Sequence, residues 1–138
     1  MITRRVEIKK YGWALHVYCA VRSYFVEDIL MHLADIGCSG EFLEEAERNM
    51  RGGTLNRGLT YSNWGSRETV LVVGLASSPE EYANSIVHEL WHFAVHVSRA
   101  LGLDMEGEEP AYLIGETMRE LMGYVSPLVC CHCRARVR

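Results

Sequence analysis

Apolar and polar positions alternate from about Val6 to Ala20, a segment that carries Trp13, Leu15, Val17 and Tyr18. That period predicts one long strand or a hairpin turning near Tyr11-Gly12. From Ser23 to Ile36 the spacing becomes helical, with Phe25, Ile29, Leu30 and Leu33 in an apolar stripe and Gly37 as the stop. A second helix is expected from about Glu41 to Met50, with Phe42, Leu43 and Ala46 inward, ended by Arg51-Gly52-Gly53. Two strands follow: a short Leu59-Thr60-Tyr61-Ser62, and a longer run from Glu68 to Val73. The link between them, Asn63-Trp64-Gly65-Ser66, is turn-like.

The clearest element comes next. Ser78 is placed as an N-cap, Pro79 at the first helical position and Glu81 where it closes a capping box. This helix is expected to run through Leu101 and stop at Gly102. A last helix begins around Glu106 to Glu109 and runs to about Tyr124, before Pro127. The elements predict an α+β fold, a small antiparallel or mixed sheet with helices packed on one side.

The chain has 138 residues, 49% of them apolar, which fits one domain with its own core. A net charge of −4 argues against a general nucleic-acid binder. The Arg134 to Arg138 end is basic, and reads as a solubilising tail. Val6 to Lys10 alternates where a signal peptide would carry an apolar run, and no stretch reaches the roughly 18 apolar residues of a membrane span, so a cytoplasmic protein with no membrane partner is expected. Five cysteines, an odd number with three bunched between Cys130 and Cys133, do not form a disulfide pattern. Cys130-Cys131-His132-Cys133 contains the spacing of a zinc knuckle but lacks a second pair, so the segment from about 127 to 138 is read as a reduced tail.

Chemistry concentrates in the capped helix, at His88-Glu89-Leu90-Trp91-His92. Histidines at i and i+4 lie one turn apart on one face and can meet one zinc ion, while Glu89 reaches a water at the open metal position. Zinc lowers the pKa of such a water to about 7, and the glutamate can take its proton and later pass it to the leaving amine. A chain of this length contains the pattern by accident about once in a hundred. Ile86, Val87, Leu90, Trp91, Phe93 and Ala94 make the helix apolar nearly all round, and a core helix with two histidines and a glutamate needs a reason such as a metal.

A catalytic zinc wants a third protein ligand and an open position. A histidine six residues after His92 is excluded, since that position is Ser98. His96 continues the same face, but one straight helix does not easily wrap three histidines around a tetrahedral ion, so His96 is read as structural. The next helix offers Glu108 and Glu109. Its apolar face is read through Ala111, Ile114, Met118, Leu121 and Val125, which makes Glu108 the better ligand and leaves Glu109 as the alternative.

At these residues the chain resembles the gluzincins, zinc peptidases with HExxH and a downstream glutamate, and in particular small ones encoded in phages, prophages and their bacterial hosts. The likeness lies in the strand Val70 to Val73, the helix start Ser78 to Glu81, His88 to His92, and Glu108 to Tyr112, within roughly Glu68 to Glu120. The resemblance implies a zincin-like fold in which an HExxH helix and a C-terminal ligand helix pack on the sheet. It implies His88, His92 and Glu108 as zinc ligands, Glu89 as general base, and a substrate backbone lying along an edge strand, assigned to Glu68 to Val73. Tyr112 is a candidate oxyanion donor, with ordinary packing as its other reading.

The expected function is hydrolysis of a peptide bond in a peptide or protein substrate by zinc-activated water. The alternative is a non-catalytic module in which zinc is structural, within a phage or prophage assembly. A catalytic site must stay open beside a groove, whereas a structural one is closed by a further ligand such as His96 or Glu109.

Overall fold

The computed structural model describes residues 2–21, 25–52 and 58–129. Of the two arrangements expected for the first segment the structure has the hairpin: strands β1 (Ile2–Ile8) and β2 (Trp13–Val21) are joined by a 3-10 turn at Lys9–Tyr11 that closes on Gly12. Gly12 has φ +59°, in the left-handed region that a residue without Cβ enters at little cost. Helices α1 (Val26–Asp35) and α2 (Gly40–Arg51) follow, then β3 (Leu59–Asn63), β4 (Glu68–Gly74), α3 (Pro79–Leu101) and α4 (Glu108–Val129).

The fold is α+β, with four α-helices and one four-stranded mixed sheet among the described residues. Strand order is β1-β2-β4-β3. β2 and β4 run parallel at the centre, and the two outer pairings, β1 with β2 and β3 with β4, are antiparallel. A parallel pair cannot be closed by a short turn, so α1 and α2 lie in the crossover between β2 and β3.

Helices cover both faces of this sheet, not one. Trp13, Leu15, Val17, Leu71 and Val73 pack against α3 and α4. Val70 and Val72 pack on the other face against Val26, Ile29 and Leu33 of α1 and Ala46 and Met50 of α2. The uninterrupted run Val70-Leu71-Val72-Val73 is the sequence signature of this burial, because a strand with one wet face would alternate.

Three helix faces differ from expectation. In α2, Ala46 and Met50 are buried while Phe42 is exposed and lies against Tyr61, ring centroids 5.4 Å apart. In α3, Val87 and Trp91 are exposed, so this helix is amphipathic and not enclosed on every side. In α4 the buried stripe is Pro110, Leu113, Thr117, Leu121 and Val125, with Ala111 exposed. α4 also continues through Pro127 to Val129. A proline in the last turn removes one backbone bond, and Leu128 and Val129 packing on the core offsets it.

The α3 boundaries follow the expected chemistry. Ser78 Oγ accepts a hydrogen bond from Glu81 N at 3.1 Å, Pro79 opens the helix, and Gly102 ends it at φ +68°. None of the described helices is long and apolar enough to cross a membrane. Cys130 to Cys133 and the basic tail lie outside the described residues. Cys19 and Cys38 are free and buried on opposite faces of the sheet, and burial holds the Cys19 thiol up at about 11.

Candidate functional site

α3 rests on the sheet so that its Glu89 side meets the edge strand β3. Alternation along β3 turns Thr60 and Ser62 toward α3, while Leu59 and Tyr61 pack toward α1 and α2. Between β3, α2 and α3 lies a cleft of about 360 Å³, lined by Phe42, Glu45 and Asn49 on one side and His88, Glu89, His92 and His96 on the other. Gly58, Leu59 and Thr60 form its floor.

His88 and His92 are brought together as their spacing predicts. Their rings meet edge to face with centroids 4.8 Å apart, and their Nε2 atoms are 3.1 Å apart. Two nitrogens held at about 2.0–2.1 Å from one tetrahedral zinc ion lie roughly 3.3 Å apart, so this pair fits shared ligation. Both side chains are exposed at the cleft mouth and accessible to an ion.

Glu89 is 3% exposed. Its Oε2 accepts a hydrogen bond from Thr60 Oγ1 at 2.5 Å. Burial raises its pKa; the Thr60 bond and the two histidines oppose that rise by favouring the charged form. A desolvated carboxylate that lines a cleft, with one oxygen pinned, is suited to accept a proton and return it.

Gly58 explains how β3 comes so close. With φ +73°, its backbone passes where a Cβ would stand 2.2 Å from the Val72 carbonyl oxygen and 3.1 Å from Glu89 Cγ. Only glycine fits there.

His96 also lines the cleft, half-buried, with Nδ1 2.8 Å from Ser62 Oγ. Burial lowers its pKa, and the neighbouring His92 and Arg99 add to the effect, which favours a neutral ring.

The structure does not bring Glu108 to the histidines. It is exposed in the first turn of α4, because it shares the outward side with Ala111 and not the buried stripe through Pro110 and Leu113. Glu109 is engaged elsewhere, accepting from Lys10 Nζ at 2.7 Å and from the Tyr11 hydroxyl. Tyr112 is exposed on the same outer groove as Lys10, Tyr11 and Glu109, away from the cleft. Among the described residues no three His, Cys, Asp or Glu side chains form a ready metal cluster. The edge strand beside α3 is β3, and the Glu68 to Val73 segment assigned to substrate is an inner strand paired on both sides.

Thr60, Ser62 and Gly58 went unread in the sequence. Their signal was present, since hydroxyls at alternate positions of Leu59-Thr60-Tyr61-Ser62 mark a strand face too polar for a plain core. In comparisons with known proteins, no family model matches the chain, and neither a curated protein nor a solved structure does.

Proposed function

We propose that this protein is a zinc-dependent peptidase whose active site is the cleft between β3 and α3. One observation carries the reading: two histidine Nε2 atoms 3.1 Å apart stand at the mouth of a cleft whose inner wall is the buried carboxylate of Glu89. His88 and His92 would supply two of the three protein ligands that a catalytic zinc takes, and the ion would supply a Lewis acid for a water and for the scissile carbonyl. Glu89 takes the proton from the water at Oε1 while Thr60 keeps Oε2 in place, then delivers it to the leaving nitrogen.

The neighbouring edge supports a peptide substrate. Among the described residues β3 pairs with β4 alone, so its other edge offers backbone N–H and C=O groups to an extended chain. A non-catalytic zinc module would close the site with His96 or Glu109. Lys10 and Tyr11 engage Glu109, and the histidine pair faces an open cleft.

The test is metal analysis of zinc-supplemented protein together with cleavage of an unbiased peptide library by wild type and Glu89→Gln. Stoichiometric zinc in both, with turnover in wild type alone, is the expected result. Zinc-free protein, or equal cleavage by both forms, overturns the reading.

A further inference from the structure

The hydrogen-bond chain behind His96 has a direction. It begins at Trp13, whose indole Nε1–H can donate and cannot accept, and whose ring is fully buried. That N–H lies 2.8 Å from Thr69 Oγ1, so Thr69 accepts. Thr69 is itself fully buried, and its own hydroxyl proton must be placed on an acceptor. The acceptor within reach is Ser62 Oγ at 2.7 Å. For the proton of Ser62 the acceptor within reach is His96 Nδ1, at 2.8 Å.

A neutral imidazole that accepts at Nδ1 carries its proton on Nε2. That nitrogen is on the far side of the ring from Ser62, and it has no partner among the described residues. His96 lines the same cleft as Glu89 and the His88–His92 pair. In the opposite tautomer Ser62 would accept from both Thr69 and His96 Nδ1–H, and its own hydroxyl proton would then have no acceptor among the described residues.

We propose that Trp13, Thr69 and Ser62 fix His96 in the Nε2–H form, so that His96 is not a zinc ligand but a hydrogen-bond donor to a carbonyl oxygen of a peptide in the cleft. A metal-ligating Nε2 must be unprotonated, with the proton on Nδ1, and the chain opposes that arrangement. A donor aimed at a carbonyl gains strength as negative charge develops on the oxygen. Trp13, Thr69 and Ser62 are positioning residues, acting on the reaction only through the ring they orient. The tautomer stands on the hydrogen bonds alone, while the identity of the acceptor rests on the peptidase reading.

Long-range 1H–15N correlation on the full chain, with and without zinc, reads which ring nitrogen of each histidine is protonated. His96 is expected to keep Nε2–H and a bare Nδ1 in both states, while the Nε2 signals of His88 and His92 respond to the ion. In Ser62→Ala, whose edge-strand position tolerates the change, both His96 tautomers should appear. In parallel, His96→Ala should bind zinc as wild type does and lose about 100-fold in kcat, the scale of one oxyanion donor. His96→Gln, which returns an N–H near the same place, should recover at least tenfold of that. A proton on His96 Nδ1, or a tenfold or greater loss of zinc affinity in His96→Ala, overturns the proposal. A wild type that binds zinc and cleaves no peptide, with His96 in the Nε2–H form, overturns the peptidase reading and supports the tautomer assignment.

Discussion

Thr60 donates from its hydroxyl to Glu89 Oε2 at 2.5 Å, a contact that joins the edge strand to the motif glutamate across 29 residues of chain. It holds the carboxylate in one orientation and favours its charged form against burial.

Thr60→Val, which keeps shape and removes the donor, should therefore reduce kcat/KM by about tenfold, a modest share of a general-base contribution. The bond lowers the Glu89 pKa, so its loss should move the acid limb of the pH–rate profile to higher pH. Zinc content should not change. A pH–rate profile of the variant superimposable on that of wild type would show that Thr60 does not orient the base.

Glu89 is a stability cost in the metal-free fold. Because burial raises its folded pKa above the unfolded value, stability is highest below the unfolded value and falls as pH rises through the folded one. Above both values the penalty is fully present. Glu89→Gln should raise the Tm of metal-free protein at pH 8 by roughly 3 °C and have little effect near pH 4. Calorimetry at the two pH values checks the difference, and a lower Tm for the variant at pH 8 would contradict it.

Gly58→Ala places a methyl 2.2 Å from the Val72 carbonyl oxygen at φ +73°. Left-handed strain plus that clash should cost at least about 2 kcal/mol in denaturant unfolding. The new methyl also meets Glu89 Cγ at 3.1 Å, so activity per folded molecule should fall as well. An unfolding midpoint equal to wild type would mean that β3 shifts freely away from α3.

Zinc dependence should follow the geometry of the cleft. His88→Ala and His92→Ala should each lose zinc affinity by at least 100-fold, whereas Glu108→Ala should stay within about threefold of wild type, since Glu108 is exposed on α4. Chelation of loaded wild type should lower Tm by several degrees, because a ligand at a thousandfold excess over Kd stabilises by about 4 kcal/mol. Isothermal titration of the three variants decides it. A large loss in Glu108→Ala would return Glu108 to the ligand set.

What the sequence by itself determined was local. Ser78, Pro79 and Glu81 start α3 and Gly102 ends it, because capping depends on residues within one turn. The His88–His92 pair was legible for the same reason, since helical pitch alone puts i and i+4 side by side. The hairpin of β1 and β2 needed only alternation and a turn. The tertiary structure decided everything that depends on which distant segments meet. Parallel pairing of β2 with β4 places α1 and α2 on one face and α3 and α4 on the other, and leaves β3 as the edge. That placement brings Thr60 to Glu89 and Ser62 to His96, contacts separated by 29 and 34 residues that no local period encodes. Glu108 shows the limit most directly. Two apolar stripes could be drawn on α4, one through Ala111 and one through Pro110 and Leu113, and only packing against the sheet selected the second and turned Glu108 outward.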